Sequence, residues 1–503
     1  VSQVSNRDIV QLGGSLSGAA DVAATAGATQ AAASASYPLG MSTSPIRIAI
    51  VGSGPAGFYA AEQLLSARDV DVSVDMFERL PVPWGLVRFG VAPDHPKIKA
   101  VTRRYEKTAG LEGFRFFGNV EVGRDVSVEE LKAHYHAVVY AFGAAGDRRL
   151  GIPGEDLAGS HSSTEFVAWY NGHPDFADHA FDLTATTAVV VGNGNVALDV
   201  ARMLALPRET LASTDVADHA LEALAASGIE EVVVLGRRGP AQAAFTTPEL
   251  IELSELAQAD VIVDPGDMEL DPASARAVEE ADAQVKKKIE VLHGYAASEP
   301  HGHDKRIVLR FFASPLELVG DDRVEGVRVG RTELLDDGDG RLRAVVTEAQ
   351  ETIPCQLVFR SVGYRGIPLD GVPFDERSAT IPNDHGRVLD RPGGTQRPGE
   401  YVSGWIKRGP TGIIGTNKKD SQDTVDSLLA DHAAGALPEP AVDDPDAIET
   451  LLTERKPEHV TYEHWRAIDE HERALGESHG RPRVKLTRIE HLLEAARNAL
   501  ARD

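Results

Sequence analysis

Residues 47–78 read RIAIVGSGPAGFYAAEQLLSARDVDVSVDMFE. The apolar run from Ile46 to Val51 has the length and β-branched content of a strand buried in a parallel sheet. It runs into Gly52-Ser53-Gly54-Pro55-Ala56-Gly57, the G-x-G-x-x-G spacing, and then into apolar residues at helical spacing from Phe58 to Leu65. A second strand, Val70 to Phe77, closes on the acid Glu78. Each part has a task in holding a dinucleotide. Gly52 allows the tight turn, Gly54 lets backbone approach a pyrophosphate, and Gly57 lets the helix pack close to the sheet. The helix N-terminus offers unpaired N–H groups to the phosphates. Glu78 accepts hydrogen bonds from an adenosine ribose and repels a 2′-phosphate, which suits FAD or NAD and not NADP. The competing reading is a glycine-rich turn that binds nothing. It leaves unexplained why strand, helix, second strand and terminal acid all stand at the required spacing.

A second unit of the same kind begins at Thr186. TTAVVV reads as a buried strand, Gly192-Asn193-Gly194-Asn195-Val196-Ala197 as the G-x-G-x-x-A variant, and VALDVARMLAL as a helix. The next strand, Glu231 to Leu235, ends at Gly236-Arg237-Arg238-Gly239. Two arginines stand where an NAD site carries an acid. Planar guanidinium groups suit bidentate contact with a 2′-phosphate, so the expectation is NADP, against ordinary solvated surface charge.

Length and composition set limits around these units. A chain of 503 residues is too long for one ordinary core, and two or three domains are expected. The formal net charge of −26 argues against nucleic acid or an anionic membrane as the main partner. Cys355 is the single cysteine. The chain therefore has no C-x-x-C pair to relay electrons and no set of thiolates for an iron–sulfur cluster; a reducing compartment, the cytoplasm, is expected. No apolar run is long enough to span a bilayer. Residues 1–40 are rich in Ala, Ser, Gly and Thr and read as a disordered extension ahead of the functional protein.

Elsewhere the reading is coarser. Residues 79–107 form a Pro- and Gly-punctuated loop carrying Trp84, His95 and the basic run Lys97, Lys99, Arg103, Arg104 and Lys107. Strands are expected at 114–122 and 137–142, and a crossing between domains at 143–156. Residues 207–228 read as a helical insertion and 255–305 as mostly helical. Further strands are expected at 307–312, 324–329 and 357–362, with an acidic turn at 336–340. Tyr401 to Trp405 is a last strand, followed by the loop IKRGPTGIIGTNKKD and a helix; residues 440–503 are charged and helical. The fold expected is α/β, with two Rossmann-like dinucleotide-binding domains. An FAD domain is built from 41–147 and 356–503, and an NADP domain at 148–355 is inserted into it.

An FAD-type and an NADP-type unit in one chain imply hydride transfer between nicotinamide and flavin, which needs placement in a dry, shaped site. The loop from Trp405 to Ile414 suits that place, with a helix N-terminus toward the flavin and Trp405 packed on the ring system.

The phrases VGSGPAGFYAAEQLL, PVPWGLVRFGVAPDHPKIK, FGNVEVGRD, VVGNGNVALDVARML, LGRRGP with AFTTPEL, SVGYR and GWIKRGPTGIIGTNKKDS resemble the adrenodoxin-reductase-type NADPH–ferredoxin reductases, in the same order from about Ile46 to near the C-terminus. The resemblance implies that Gly52, Ser53, Gly54, Ala56, Glu78, Leu86, Val122, Trp405, Gly412, Ile413 and Ile414 line FAD. It implies that Arg148, Asn193, Gly194, Asn195, Val196, Arg237, Arg238, Glu249 and Gly412 contact NADP. It also places His95 and Glu252 beside the nicotinamide as candidate catalytic residues, although His95 reads equally well as a structural group of a Pro-rich loop. The reaction implied passes a hydride from NADPH to FAD and then single electrons to a ferredoxin-type iron–sulfur protein. That acidic partner is expected to dock on two basic groups: Lys97, Lys99, Arg103, Arg104 and Lys107, and Lys407, Arg408, Lys418 and Lys419. For Lys407 and Arg408 the alternative is that they structure the cofactor loop. Two other readings stay open. One is a two-electron NADPH oxidoreductase, either a quinone or dye reductase or the input subunit of a synthase. The other is a flavoprotein that senses NADPH without turnover.

Overall fold

The computed structural model describes residues 45–337 and 342–500. The extension expected at 1–40 lies outside the described residues, as does most of the turn at 336–340. Two parallel sheets organise the rest. In the first, Gln396–Val402, Ala137–Tyr140, Ile46–Val51, Val72–Phe77 and Phe114–Phe117 lie side by side in that order, all parallel. A short antiparallel ladder, Asn383–Asp384 and Arg387–Leu389, extends its edge. All six residues of Ile46–Val51 are buried, as a central strand covered on both faces requires.

The second sheet runs Ser160–Ser162, Leu357–Arg360, Thr187–Val191, Glu231–Leu235, Lys305–Arg310 and Ala259–Val263, again all parallel. The boundary expected at 355/356 falls one strand early, because Leu357–Arg360 pairs within the second sheet and the chain crosses back only after it. Gly146–Asp147 and Tyr364–Arg365, from the outgoing and returning crossings, pair antiparallel as a two-stranded ribbon. The stretch 255–305 is mostly helical, through Pro272–Glu280 and Ala283–Ala297, but not throughout. It contains the edge strand Ala259–Val263, disguised by Asp260, whose buried carboxylate accepts backbone N–H groups from His301, Gly302 and His303. A third sheet, Ala313–Val319, Gly326–Asp336 and Leu342–Pro354, is antiparallel. Its last strand is mostly exposed and lacked the apolar alternation that would have marked it. Cys355 is fully buried, and burial pushes its thiol up to about 12.

The C-terminal helices Tyr462–Glu477 and Ile489–Leu500 pack against the first sheet's loops. Trp465 meets Trp84 edge-on at 4.9 Å. Arg88 and Glu472, both buried, pair at 2.6 Å; Glu472 also takes Arg483 at 3.2 Å and the Leu486 N–H at 2.8 Å. Removing one partner of such a pair strands the other charge in low dielectric. Glu472→Ala is therefore expected to cost about 3–5 kcal/mol, read as a fall in the thermal unfolding midpoint. A midpoint unchanged from the parent protein would show that water compensates Arg88.

Candidate active site

Both glycine turns stand at the carboxyl ends of their sheets, where open α/β folds bind ligands. In the first, the strands end level: Gly52 donates to Phe77 O, Ala141 to Val51 O and Ser403 to Tyr140 O. Gly52 has φ +107°, and a Cβ there would lie 2.6 Å from Phe142 Cα. A Cβ on Gly57 would lie 2.1 Å from Gly52 O. Both glycines are thus required by the fold itself. Gly54 differs: a Cβ on it would meet nothing within 4 Å, so its missing side chain leaves open space on the turn. Glu78 caps the turn, its carboxylate accepting from Ser53 N at 3.2 Å, Ser53 Oγ at 2.6 Å and Leu80 N at 3.1 Å.

The loop from 79 folds back onto this turn. Trp84 adopts φ +86°, unusual for a bulky residue, and its N–H donates to Ser53 O at 3.0 Å. Leu86 opens the short helix Leu86–Phe89 beside it, and Val122 is buried in the neighbouring turn. From the other side Gly404, with φ +81°, comes so close that its Cβ would lie 2.6 Å from Ala56 Cβ. Ser421 Oγ bonds Ser403 Oγ and donates to Ala56 O. Trp405 follows, its ring 5.1 Å from that of Tyr364, with a buried Nε1–H that has no acceptor among the described residues. Gly412, Ile413 and Ile414 precede the helix Thr416–Ala433, and Ile413 is 63% exposed. Lys407 pairs with Asp420 at 3.1 Å and Arg408 donates to Asn417 at 3.1 Å, so these two cations structure the loop. Open space at Gly54, a stranded indole N–H and an uncovered isoleucine are features that a bound flavin dinucleotide would complete.

In the second turn Gly192, with φ +129°, has no room for a Cβ, which would sit 2.1 Å from Ser361 O. Gly194 again has nothing within 4 Å. Asn193 O accepts from Ala244 and Phe245, and Asn195 Oδ1 from Thr246 N at 2.8 Å, which draws the 243–247 segment to the turn beside the half-buried Val196. The backbone of the arginine pair is fixed: Arg237 O accepts from Thr332 Oγ1 and Arg238 O from Phe312 N. Both side chains are exposed, with no ion-pair partner among the described residues. Arg148 lies at the crossing, bonded to Gly363 O and Tyr364 O.

The structure brings His95 and Glu252 together at 2.7 Å, His95 from the loop of the first unit and Glu252 from the helix Thr247–Glu252 of the second. Glu249, on the same helix, lies 3.8 Å from the imidazole, and its buried Oε2 has no hydrogen-bond partner among the described residues. Burial first, and the Asp199 charge second, push the Glu249 carboxyl up to about 7. Three residues of this cluster escaped the sequence reading: Asp94, Asp199 and the buried Arg202. The signal that could have found two of them is Asp199-x-x-Arg202, an acid and a base on an otherwise apolar helix.

Two dinucleotide turns on two parallel sheets, one capped by an acid and the other followed by free arginines, define a flavin- and nicotinamide-dependent oxidoreductase fold. Comparison with known proteins agrees. The family model described as pyridine nucleotide-disulphide oxidoreductase matches residues 46–239. The NADPH-ferredoxin reductase FprA of Mycobacterium tuberculosis is 54% identical over 460 residues, covering 89% of this chain and 98% of the relative. The mitochondrial NADPH:adrenodoxin oxidoreductase of Salvelinus fontinalis is 43% identical, covering 90% and 91%. A solved structure of M. tuberculosis FprA in complex with NADPH matches with a TM-score of 0.85 at 52% identity, over 90% of this chain and 100% of that one. The chain belongs to the adrenodoxin-reductase-type NADPH–ferredoxin reductase family, whose members are FAD-dependent. No helix among the described residues is long and apolar enough to cross a membrane.

Proposed function

We propose that this protein takes a hydride from NADPH onto FAD and passes single electrons to a ferredoxin-type iron–sulfur protein. The observation that carries the reading is the pair of open glycine turns, with Glu78 on the first and unpaired Arg237 and Arg238 on the second. FAD would be held by Gly52 to Gly54, Ala56, Glu78, Leu86, Val122, Trp405 and Gly412 to Ile414. When bound it accepts two electrons together and releases them singly. NADP would be held by Arg148, the turn Asn193 to Val196, Arg237, Arg238, Glu249 and Gly412. His95 and Glu252 would stand beside the nicotinamide, polar groups at the edge of a site from which Trp405 and Ile414 exclude water. The single buried cysteine suits a reducing compartment, and the proposed location is the cytoplasm. Stopped-flow mixing with NADPH, then with a ferredoxin, tests the whole sequence. Flavin reduction without steady flux to any ferredoxin would favour a sensor, and flux to quinones or dyes alone would favour a two-electron reductase.

The docking surface we propose is narrower than the two basic groups expected. Lys99 is excluded: it is largely buried and bound to Asp215 at 2.6 Å, with Lys485 on the same carboxylate. Arg104 is held by Glu62, and Lys407 and Arg408 belong to the cofactor loop. Arg103 and Lys107 on the helix Thr102–Ala109 stay exposed, as do Lys418 and Lys419. The two groups flank one helix, Pro55–Leu65, whose Glu62 takes Arg104 and whose Gln63 donates to Lys418 O. An acidic partner meets a local positive face there despite the net charge of −26. Reversing Arg103 and Lys418 together is expected to slow ferredoxin reduction about tenfold or more at low salt, and to leave reduction of a small neutral dye unchanged. Equal loss of both activities would place the docking face elsewhere.

A further inference from the structure

Arg202, on the helix Asn195–Ala205, is 3% exposed, and its guanidinium is ringed by carboxylates and one imidazole. Nε donates to Asp94 Oδ2 at 2.7 Å, and Nη2 to Asp94 Oδ1 at 3.1 Å and Asp199 Oδ1 at 2.7 Å. Nη1 lies 3.3 Å from Glu252 Oε2 and 3.6 Å from Glu249 Oε2. His95 Nε2 lies 2.6 Å from Nη2 and 2.7 Å from Glu252 Oε2. The guanidinium and the Glu252 carboxylate thus hold one imidazole nitrogen between them. The fork on Asp94 also ties down the backbone that carries His95. Asp94 and His95 belong to the loop that folds over the first glycine turn, whereas Arg202, Asp199, Glu249 and Glu252 belong to helices of the second sheet. One guanidinium spans the two.

We propose that Arg202 is a positioning residue for hydride transfer, clamping the Asp94–His95 segment to the second sheet's helices and holding the His95 imidazole against Glu252. The proposal rests on the NADPH-to-flavin reading above. Lysine cannot replace the clamp, having three hydrogens and no planar fork. The ionisable groups around Arg202 are Asp94, His95, Asp199, Glu249 and Glu252, with the phenols of Tyr170 and Tyr364 beyond them. Burial keeps both phenols protonated, Tyr364 pushed up to about 12. Burial also raises Asp199 and Glu249. For Asp94, burial opposes ionisation, but the Arg202 hydrogen bonds outweigh it and hold the carboxyl low. Moving the positive charge out of the fork leaves four carboxylates less well compensated, so they take up protons at higher pH.

The test uses the FAD-loaded enzyme without ferredoxin, as Arg202→Lys, Asp94→Asn, His95→Gln and the Arg202→Lys/His95→Gln double variant. The rate of flavin reduction by NADPH and the Kd for NADP+ are followed against pH. Arg202→Lys is expected to keep its FAD, lose at least tenfold in the limiting rate, and raise the pH midpoint of both rate and Kd by at least one unit. Asp94→Asn removes a negative charge from the cluster, so it is expected to slow the limiting rate by less and to lower the pH midpoint of both. In the His95→Gln background, Arg202→Lys should cost less than twofold further, because the clamp acts through the imidazole. A lower thermal midpoint with rate and pH midpoints at wild-type values would overturn the proposal, and so would single losses that multiply in the double variant. Should Arg202→Lys fail to fold, Asp94→Asn decides alone, and a limiting rate and pH midpoint both at wild-type values would overturn the proposal. A wild-type flavin that NADPH does not reduce would defeat the functional reading instead, and the pH midpoint of NADP+ binding would still decide the role of Arg202.

Discussion

Replacing Arg237 and Arg238 together by alanine is expected to erase the preference for NADPH over NADH. Each charge-assisted contact with a phosphate is worth about 1.5–3 kcal/mol. Losing two should cost NADPH about 3–6 kcal/mol, or about two to four decades in kcat/KM, while NADH, lacking the 2′-phosphate, should change little. The geometry favours the large end of that range at low salt, since both side chains are exposed without an ion-pair partner among the described residues and their backbone is pinned by Thr332 and Phe312. Raising the ionic strength should shrink the effect in the parent protein and leave the double variant indifferent. A variant that keeps the parent's NADPH/NADH ratio would show the arginines to be plain surface charge.

The second large effect separates two glycines three residues apart. Valine at position 54 would meet no protein atom near its Cβ, and the backbone there, φ −78° and ψ −173°, is extended and open to β-branched residues. Gly54→Val is therefore expected to fold, keep NADP+ binding and be colourless, because its side chain occupies the space assigned to the pyrophosphate. Alanine at position 57 would place Cβ 2.1 Å from a backbone carbonyl oxygen, which a helix packed on a sheet cannot relieve locally. Gly57→Ala is expected to be insoluble or unfolded. Flavin absorbance and near-UV circular dichroism on the two proteins distinguish the cases. A yellow Gly54→Val protein would remove the first glycine turn from the FAD site.

These residues were legible in sequence because their meaning is local. A glycine turn, its strand and its terminal acid or arginine pair lie within one supersecondary unit, and spacing alone carries the chemistry. Arg202 was not legible in that way. Its partner Asp94 stands 108 positions earlier in the chain, and only the packing of one unit's loop on the other's helix makes them neighbours. The basic run from Lys97 to Lys107 failed for a related reason. It reads as one charged face, yet Lys99 turns inward to Asp215, a residue of the second unit, and Arg104 turns to Glu62. Charge patterning along a chain shows where cations are, and the burial of their partners decides which of them face water. The domain boundary missed by one strand because Leu357–Arg360 is apolar in the manner of either sheet, and only its pairing assigns it.

The lone thiol has a practical consequence. Cys355 is fully buried and strongly disposed to stay protonated, so alkylating reagents and mild oxidants have no thiolate to attack. The native chain is thus silent toward maleimides. A cysteine introduced at Arg103 or Lys418 would be the single reactive point on the surface, ready to carry a spin label or a cross-linker. The face that meets the electron acceptor can be mapped from such positions one at a time, with no need to strip the protein of its own cysteine first.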